Sequence, residues 1–291
     1  MVDSVPIQGS GRKLFYGLFI FPLLIAVGMA VLLCTMVLMT REAETPESLI
    51  TAIKTGSPSK RWQKAYELSN ELNQGRGMIR SSGVMKEIIH ILKTRQQYDA
   101  KTRSYMVAAL VHFEEPEVAQ ALKETLASET EIEVQLFLMW ALGVKGVKEA
   151  EAEIQPFLKD ERPDLRKMAA YVLGVLGSSQ SVAPLTLLIE DGVRDVRWNA
   201  ALSLARLGSD AGYGELLKMI DRASIQSDSE LAEAKIEAFI VSAVKGIALL
   251  GRVDARPYLE ALANFDESLK VRQAALEASE SLRKGQELLA A

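Results

Sequence analysis

The apolar positions of this chain follow two regimes. From Leu14 to Met39 they run as 26 residues without one charged side chain. A helix of that length rises roughly 39 Å, against a hydrocarbon core of about 30 Å. The pattern predicts one transmembrane helix over 14–39, with room to tilt, after a short tail at 1–13. Arg12 and Lys13 precede the run; Arg41, Glu42 and Glu44 follow it. Tyr16 suits a headgroup boundary. Pro22 lies inside the span, where membrane helices tolerate it. The apolar run is too long for a secretory signal core, and no A-x-A pattern follows it. Leu33 before Cys34 departs from a lipoprotein signal. Arg12, Lys13 and the α-amine weigh against Arg41 and Lys54, so the positive-inside rule predicts a single-pass protein with its N-terminus in the cytoplasm and the large domain outside.

Beyond residue 41 the apolar residues recur at helical spacing, and the spacing itself repeats. Segments starting at Arg61, Arg103, Gln135, Arg166, Arg197, Ile240 and Arg272 align, with starts 42, 32, 31, 31, 43 and 32 residues apart. Such a period outranks other fold signals. The unit is 31–32 residues, lengthened twice: by Gln74–Gly83 and by a polar stretch, Asp221–Ala232, read as a protruding loop. Within each segment, apolar or small residues stand three, four and seven places after the start, one face of a helix. Gly146, Gly177, Gly208 and Gly251 lie eleven places after it, where glycine takes the left-handed helix stop. A shorter Leu-rich helix comes before each, such as Pro184–Glu190 or Pro257–Ala263, with proline in a first turn that needs no amide donor. The prediction is all-α: an α-solenoid of about seven helix pairs over 45–284, preceded by the transmembrane helix and followed by a tail at 285–291. Its core is a continuous strip.

Asp160, Asp191 and Asp266 each stand six residues before Arg166, Arg197 and Arg272. An Asp there can cap the second helix of its unit and meet a neighbouring Arg, so repetition predicts a structural Asp–Arg ladder. The run Asp191-Gly-Val-Arg-Asp-Val-Arg197-Trp-Asn-Ala-Ala-Leu-Ser-Leu-Ala-Arg-Leu-Gly208 carries the pattern in full, and Asp160 to Gly177 nearly so. This resembles HEAT repeats, and the short unit is most similar to the subgroup named after phycobilisome lyases. The edges are degenerate. Thr55, Gln97 and Glu129 stand in the Asp position of the first three units, and Ile240 replaces the Arg of the sixth. The resemblance implies a superhelix that binds other proteins, with the second helices lining its concave side.

On that placement, Trp62, Tyr66, Trp140, Tyr171 and Trp198 point into or along the groove, with Tyr105 and Phe137 beside them. Large aromatics dominate interface energetics, so these seven are candidate partner-binding residues. Charge adds a second candidate surface. Residues 54–86 carry a net +5 and residues 87–291 a net −8. Lys60, Lys64, Arg76 and Arg80 are candidate contacts to anionic headgroups, while the acidic remainder speaks against nucleic acid.

Composition then removes most chemistry. One cysteine, Cys34, excludes a disulfide framework. Two histidines, His90 and His112, leave no material for a multi-histidine metal centre, and His112 reads as a helix-surface or packing residue. No phosphate loop, dinucleotide fingerprint, H-E-x-x-H or G-x-S-x-G motif is present. The expectation is a membrane-anchored, non-catalytic scaffold or adaptor without cofactor, holding a membrane-associated protein partner. The alternative implied by the resemblance is a bilin-lyase-like enzyme or a chaperone of cofactor attachment.

Overall fold

The computed structural model describes residues 16–40, 45–75, 81–227 and 231–290, with side chains at 17–36, 45–75, 81–226 and 231–286. Contacts divide the chain into two units, Met1–Thr45 and Pro46–Ala291. In the first, a π-helical turn at Tyr16–Ile20 leads into helix α1, Phe21–Thr40. Proline interrupts the regular helical ladder through its missing N–H and its ring, and the wide turn stands directly before Pro22. The 20 residues of α1 rise about 30 Å, one hydrocarbon thickness. Its described leucines, valines and methionines are exposed. Among the described residues this is the one helix long and apolar enough to cross a membrane.

The second unit is seven helix pairs and, among the described residues, no strand. The first three pairs are α2 (Pro46–Thr55) with α3 (Pro58–Gln74), α4 (Ser82–Lys93) with α5 (Ala100–Leu110), and α6 (Pro116–Ser128) with α7 (Ile132–Val144). Next come α8 (Glu151–Ile154) with α9 (Pro163–Leu176) and α10 (Val182–Leu187) with α11 (Arg194–Arg206). The sixth pair is α12 (Tyr213–Met219) with α14 (Glu233–Leu250), and the seventh α15 (Arg256–Phe265) with α16 (Leu269–Ala290). Short 3₁₀ turns extend α8, α10, α12 and α15, as is common at helix ends. The predicted loop at 221–232 is partly a helix, α13 (Arg222–Ser227), and Ile225 buries itself in the core. The second helices stack in sequence, α3 on α5, then α7, α9, α11, α14 and α16.

Two sequence devices set this geometry. Gly146, Gly177, Gly208 and Gly251 all take positive φ, as the helix-stop reading predicts, and so does Gly75. At Gly208 (φ 72°) an added methyl group would meet open space. Gly208→Ala therefore isolates the backbone cost of the left-handed region. The expected loss is about 1–2 kcal/mol in urea unfolding.

The ladder is the second device, and it runs between units. Arg166 donates from Nε and Nη2 to Asp191 of the next unit at 2.7 and 2.9 Å. Its Nη1 donates to the Asp160 and Glu161 carbonyls at 2.8 and 3.0 Å. Arg197 ties the Asp191 carbonyl (2.9 Å) to Glu215 (3.1 Å), which serves where the sixth unit has Ala234 in the Asp position. Arg103 forks onto Glu129, and Arg61 reaches the Gln97 carbonyl at 2.8 Å. Where Ile240 leaves the sixth unit without its arginine, Arg222 of α13 donates to both oxygens of Asp266, at 3.1 and 2.7 Å. The aspartates do not cap in the expected way. The helix-flanking positions are Arg162 and Val193, and neither supplies a side-chain cap. Asp160, Asp191 and Asp266 instead accept from the amide two residues on, at 2.8–2.9 Å, closing an Asx turn. Hydrogen bonds from Arg162 hold the Asp160 carboxyl down at about 2.

The buried core falls into two clusters that meet across α11, with Ile189 packed against both. Ala200 and Leu204 face one, running from Leu49; Trp198, Ala201 and Ala205 face the other, running to Leu282.

Candidate functional site

Position five of the second helix puts a side chain on the side away from the first-helix row, and position two sits next to it on the same surface. In the first three units these positions hold Tyr66 on α3, Tyr105 on α5, and Phe137 and Trp140 on α7. Stacking of the three helices brings all four rings to one groove of about 360 Å³. Ser69, Asn70, Asn73, Ala108, Val111, His112 and Val144 complete its walls. Tyr66 and Tyr105 meet edge-to-face with centroids 5.4 Å apart, and Phe137 and Trp140 at 6.2 Å. Both pairs fall within the range in which aromatic edges and faces attract. Tyr66 is 50% exposed and Val144 58%, while Tyr105, Phe137 and Trp140 are half-buried.

Among the described residues, no Asp, Glu, Lys or Arg lines this groove. Its polar groups are hydroxyls, two carboxamides and an imidazole, which donate and accept without fixed charge. The arrangement can bury an apolar or aromatic anchor and pair with main-chain amides. Among the described residues, no group of three His, Cys, Asp or Glu side chains is placed to hold a metal ion.

The other three aromatic candidates lie elsewhere. Tyr171 is exposed on α9 with the Arg206 guanidinium 5.4 Å from its ring centroid, one unit beyond the groove. Trp62 lies under Lys101, whose Nζ stands 3.5 Å from its ring. Trp198 does not face a groove at all. It is 4% exposed, edge-on to Phe239 of α14 at 4.9 Å and covered by Arg194 at 4.6 Å. Position one of the second helix points into the seam between units, so a ring there packs against the next helix. Of the four candidate headgroup contacts, Lys60 is exposed and Lys64 donates to Glu67 at 2.6 Å; Arg76 and Arg80 lie outside the described residues. Lys54 is paired across units with Glu87 at 2.9 Å, which further reduces the free positive charge of this end.

Sequence reading missed Asn70, Asn73, His112 and Val144 as wall residues. Asn70, His112 and Val144 share one signal, all standing nine places after their unit's start, on the same helix face as position five.

Comparison with known proteins agrees with this architecture. Residues 119–205 and 153–234 match HEAT repeats. The structure resembles the complex of CpcE and CpcF of phycocyanin lyase from Nostoc sp. PCC7120, at 17% identity and a TM-score of 0.56, covering 82% of this chain and 88% of that one. It also resembles the Escherichia coli YibA protein, at 13% identity and a TM-score of 0.51, covering 80% and 92%. No curated protein matches the sequence. The chain therefore carries HEAT repeats over residues 119–234, within a stack of helix pairs whose fold resembles these solved structures.

Proposed function

We propose that this chain is a membrane-anchored adaptor that grips a protein partner through the groove between α3, α5 and α7. The observation that carries the reading is the convergence of Tyr66, Tyr105, Phe137 and Trp140, from three different repeats, on one groove whose described lining residues carry no fixed charge. Packing within a repeat does not require aromatics at these partly exposed positions. Anchoring a partner does, since hot spots concentrate in large rings flanked by neutral contacts. The α1 helix supplies the tether, with the N-terminus in the cytoplasm and the repeats outside. Protease treatment of sealed vesicles tests that placement, and digestion of the repeats only in inverted vesicles would reverse it.

The groove itself is tested by affinity capture from detergent extract. Wild type and the surface control Leu187→Ser recover the same protein. Trp140→Ala and Tyr66→Ser reduce its recovery by about tenfold or more, in keeping with an anchor worth about 2 kcal/mol. Recovery indifferent to both groove variants overturns the proposal.

The likeness to the CpcE–CpcF complex favours one second reading, a helper of tetrapyrrole attachment. It makes a separate prediction: a tetrapyrrole added to the pure chain changes its absorbance, and Trp140→Ala abolishes the change. The adaptor reading predicts the same spectrum with and without the chain.

A further inference from the structure

A second surface, with charged side chains at its rim, lies on the first-helix row, between the sixth and seventh pairs. There α12, α13 and α15 enclose an open groove of about 720 Å³. The corresponding groove between the fourth and fifth pairs measures about 320 Å³. The larger opening coincides with α13, inserted between the two helices of the sixth pair. Its floor is apolar, built from Leu217 of α12 and Ile220 just after it, with Tyr258, Leu262 and Phe265 of α15. Phe265 is 86% exposed and Tyr258 53%, and neighbouring Leu269 is 72% exposed.

An open end of the repeat stack does not account for these side chains. A terminal repeat needs a polar outer face, and α16 has one: Gln273, Glu277, Glu280, Arg283 and Lys284 are exposed along it, and among its described side chains the exposed leucines are Leu269, in its first turn, and Leu276. The most exposed ring among the described residues, Phe265, stands at the end of α15, with Tyr258 on the same helix and Leu269 at the start of α16.

The rim is acidic. Asp221, Asp266 and Glu267 line it, and Asp266, Glu267 and nearby Glu233 pair with one guanidinium, Arg222. Arg222 is committed to them: both Asp266 oxygens, Glu233, and Glu267 at 3.5 Å. The apolar floor is therefore framed by surplus negative charge, and Asp221 and Glu267 are exposed to a ligand.

We propose that this groove is a second docking site, for a partner segment that presents apolar or aromatic anchors flanked by lysine or arginine. The anchors cover Tyr258 and Phe265, and the flanking cations meet Asp221 and Glu267. Electrostatic complementarity of this kind sets which segment is accepted and speeds its encounter.

The test uses the full chain in nanodiscs of zwitterionic lipid, with two fluorescent probe peptides. One carries Leu-Phe anchors flanked by arginines; the other has glutamates in place of the arginines. Anisotropy is expected to show the basic peptide binding at least tenfold more tightly. Phe265→Ser and Tyr258→Ser, at exposed positions that leave the core intact, weaken it tenfold or more. Glu267→Lys weakens the basic peptide and strengthens the acidic one. Trp140→Ala leaves both unchanged, so this result stands apart from the aromatic groove. Equal binding of the two peptides, no binding, or affinity unaltered by Phe265→Ser overturns the proposal. So does a concentration-dependent dimer of the chain that Phe265→Ser dissolves, which would assign the groove to a second copy.

Discussion

Gly174→Ala is expected to destabilise the repeat unit more than any other single methyl addition to its second-helix stack. Helices α9 and α11 approach so closely at this point that a Cβ on Gly174 would lie 2.3 Å from Ser203 Oγ, 2.4 Å from its Cβ and 2.7 Å from its Cα. The last of these is backbone, so no rotamer change relieves the contact. The two helices must separate, and every side chain between them loses contact. Overpacking of a close-packed interior costs about 1–3 kcal/mol, and more where backbone must move. We expect about 3 kcal/mol or more from urea unfolding. Ser203→Gly in the same chain removes the nearest two atoms and should recover a large part of the loss. Full additivity of the two substitutions would show that they do not meet.

Breaking the buried Arg103–Glu129 pair is expected to cost about 3–5 kcal/mol at neutral pH. The side chains are 3% and 0% exposed, which separates this rung of the ladder from the wetter ones. Glu129 also accepts from the Thr130 and Glu131 amides at 2.9 and 3.0 Å. Burial alone would raise its carboxyl. The bonds from Arg103 and the two amides outweigh burial and hold it below the ordinary value of 4.5. A depressed folded-state value stabilises the protein above the unfolded value and loses that stability as pH falls through the folded one. In Arg103→Met the carboxylate is buried without its cation, so its folded value rises above the unfolded one. The sign then reverses: the variant recovers stability as pH falls, where wild type loses it. Unfolding measured from pH 7 to pH 4 checks this. Parallel losses in wild type and variant would refute the pairing.

The repeat architecture was readable because it rests on local signals. Each Arg, each stop glycine and each small-residue face acts within its own unit or the next, and the alignment of Arg61 through Arg272 captures that period. The failures are contacts between units around the insertion. Arg222 replaces the absent arginine of the sixth unit from within α13, 44 residues before Asp266, and no repeat position announces it. Trp198 looked like a groove ring because it shares helix and position with Trp62. The next unit places Phe239 against it, and burial follows from that packing. The groove was legible in its rings, since position five is fixed by the helical period. Its amide and imidazole wall was not, because Asn70 and His112 are individually unremarkable on an exposed face and gain meaning only when three helices meet.

The most direct measurement is site-specific photo-crosslinking from Val144, at the exposed lip of the groove, in the full chain within its own membrane. The account predicts one discrete protein adduct, lost in Trp140→Ala and in Tyr66→Ser and kept in Leu187→Ser. An adduct to lipid alone, no adduct, or one that persists through both groove variants would contradict it.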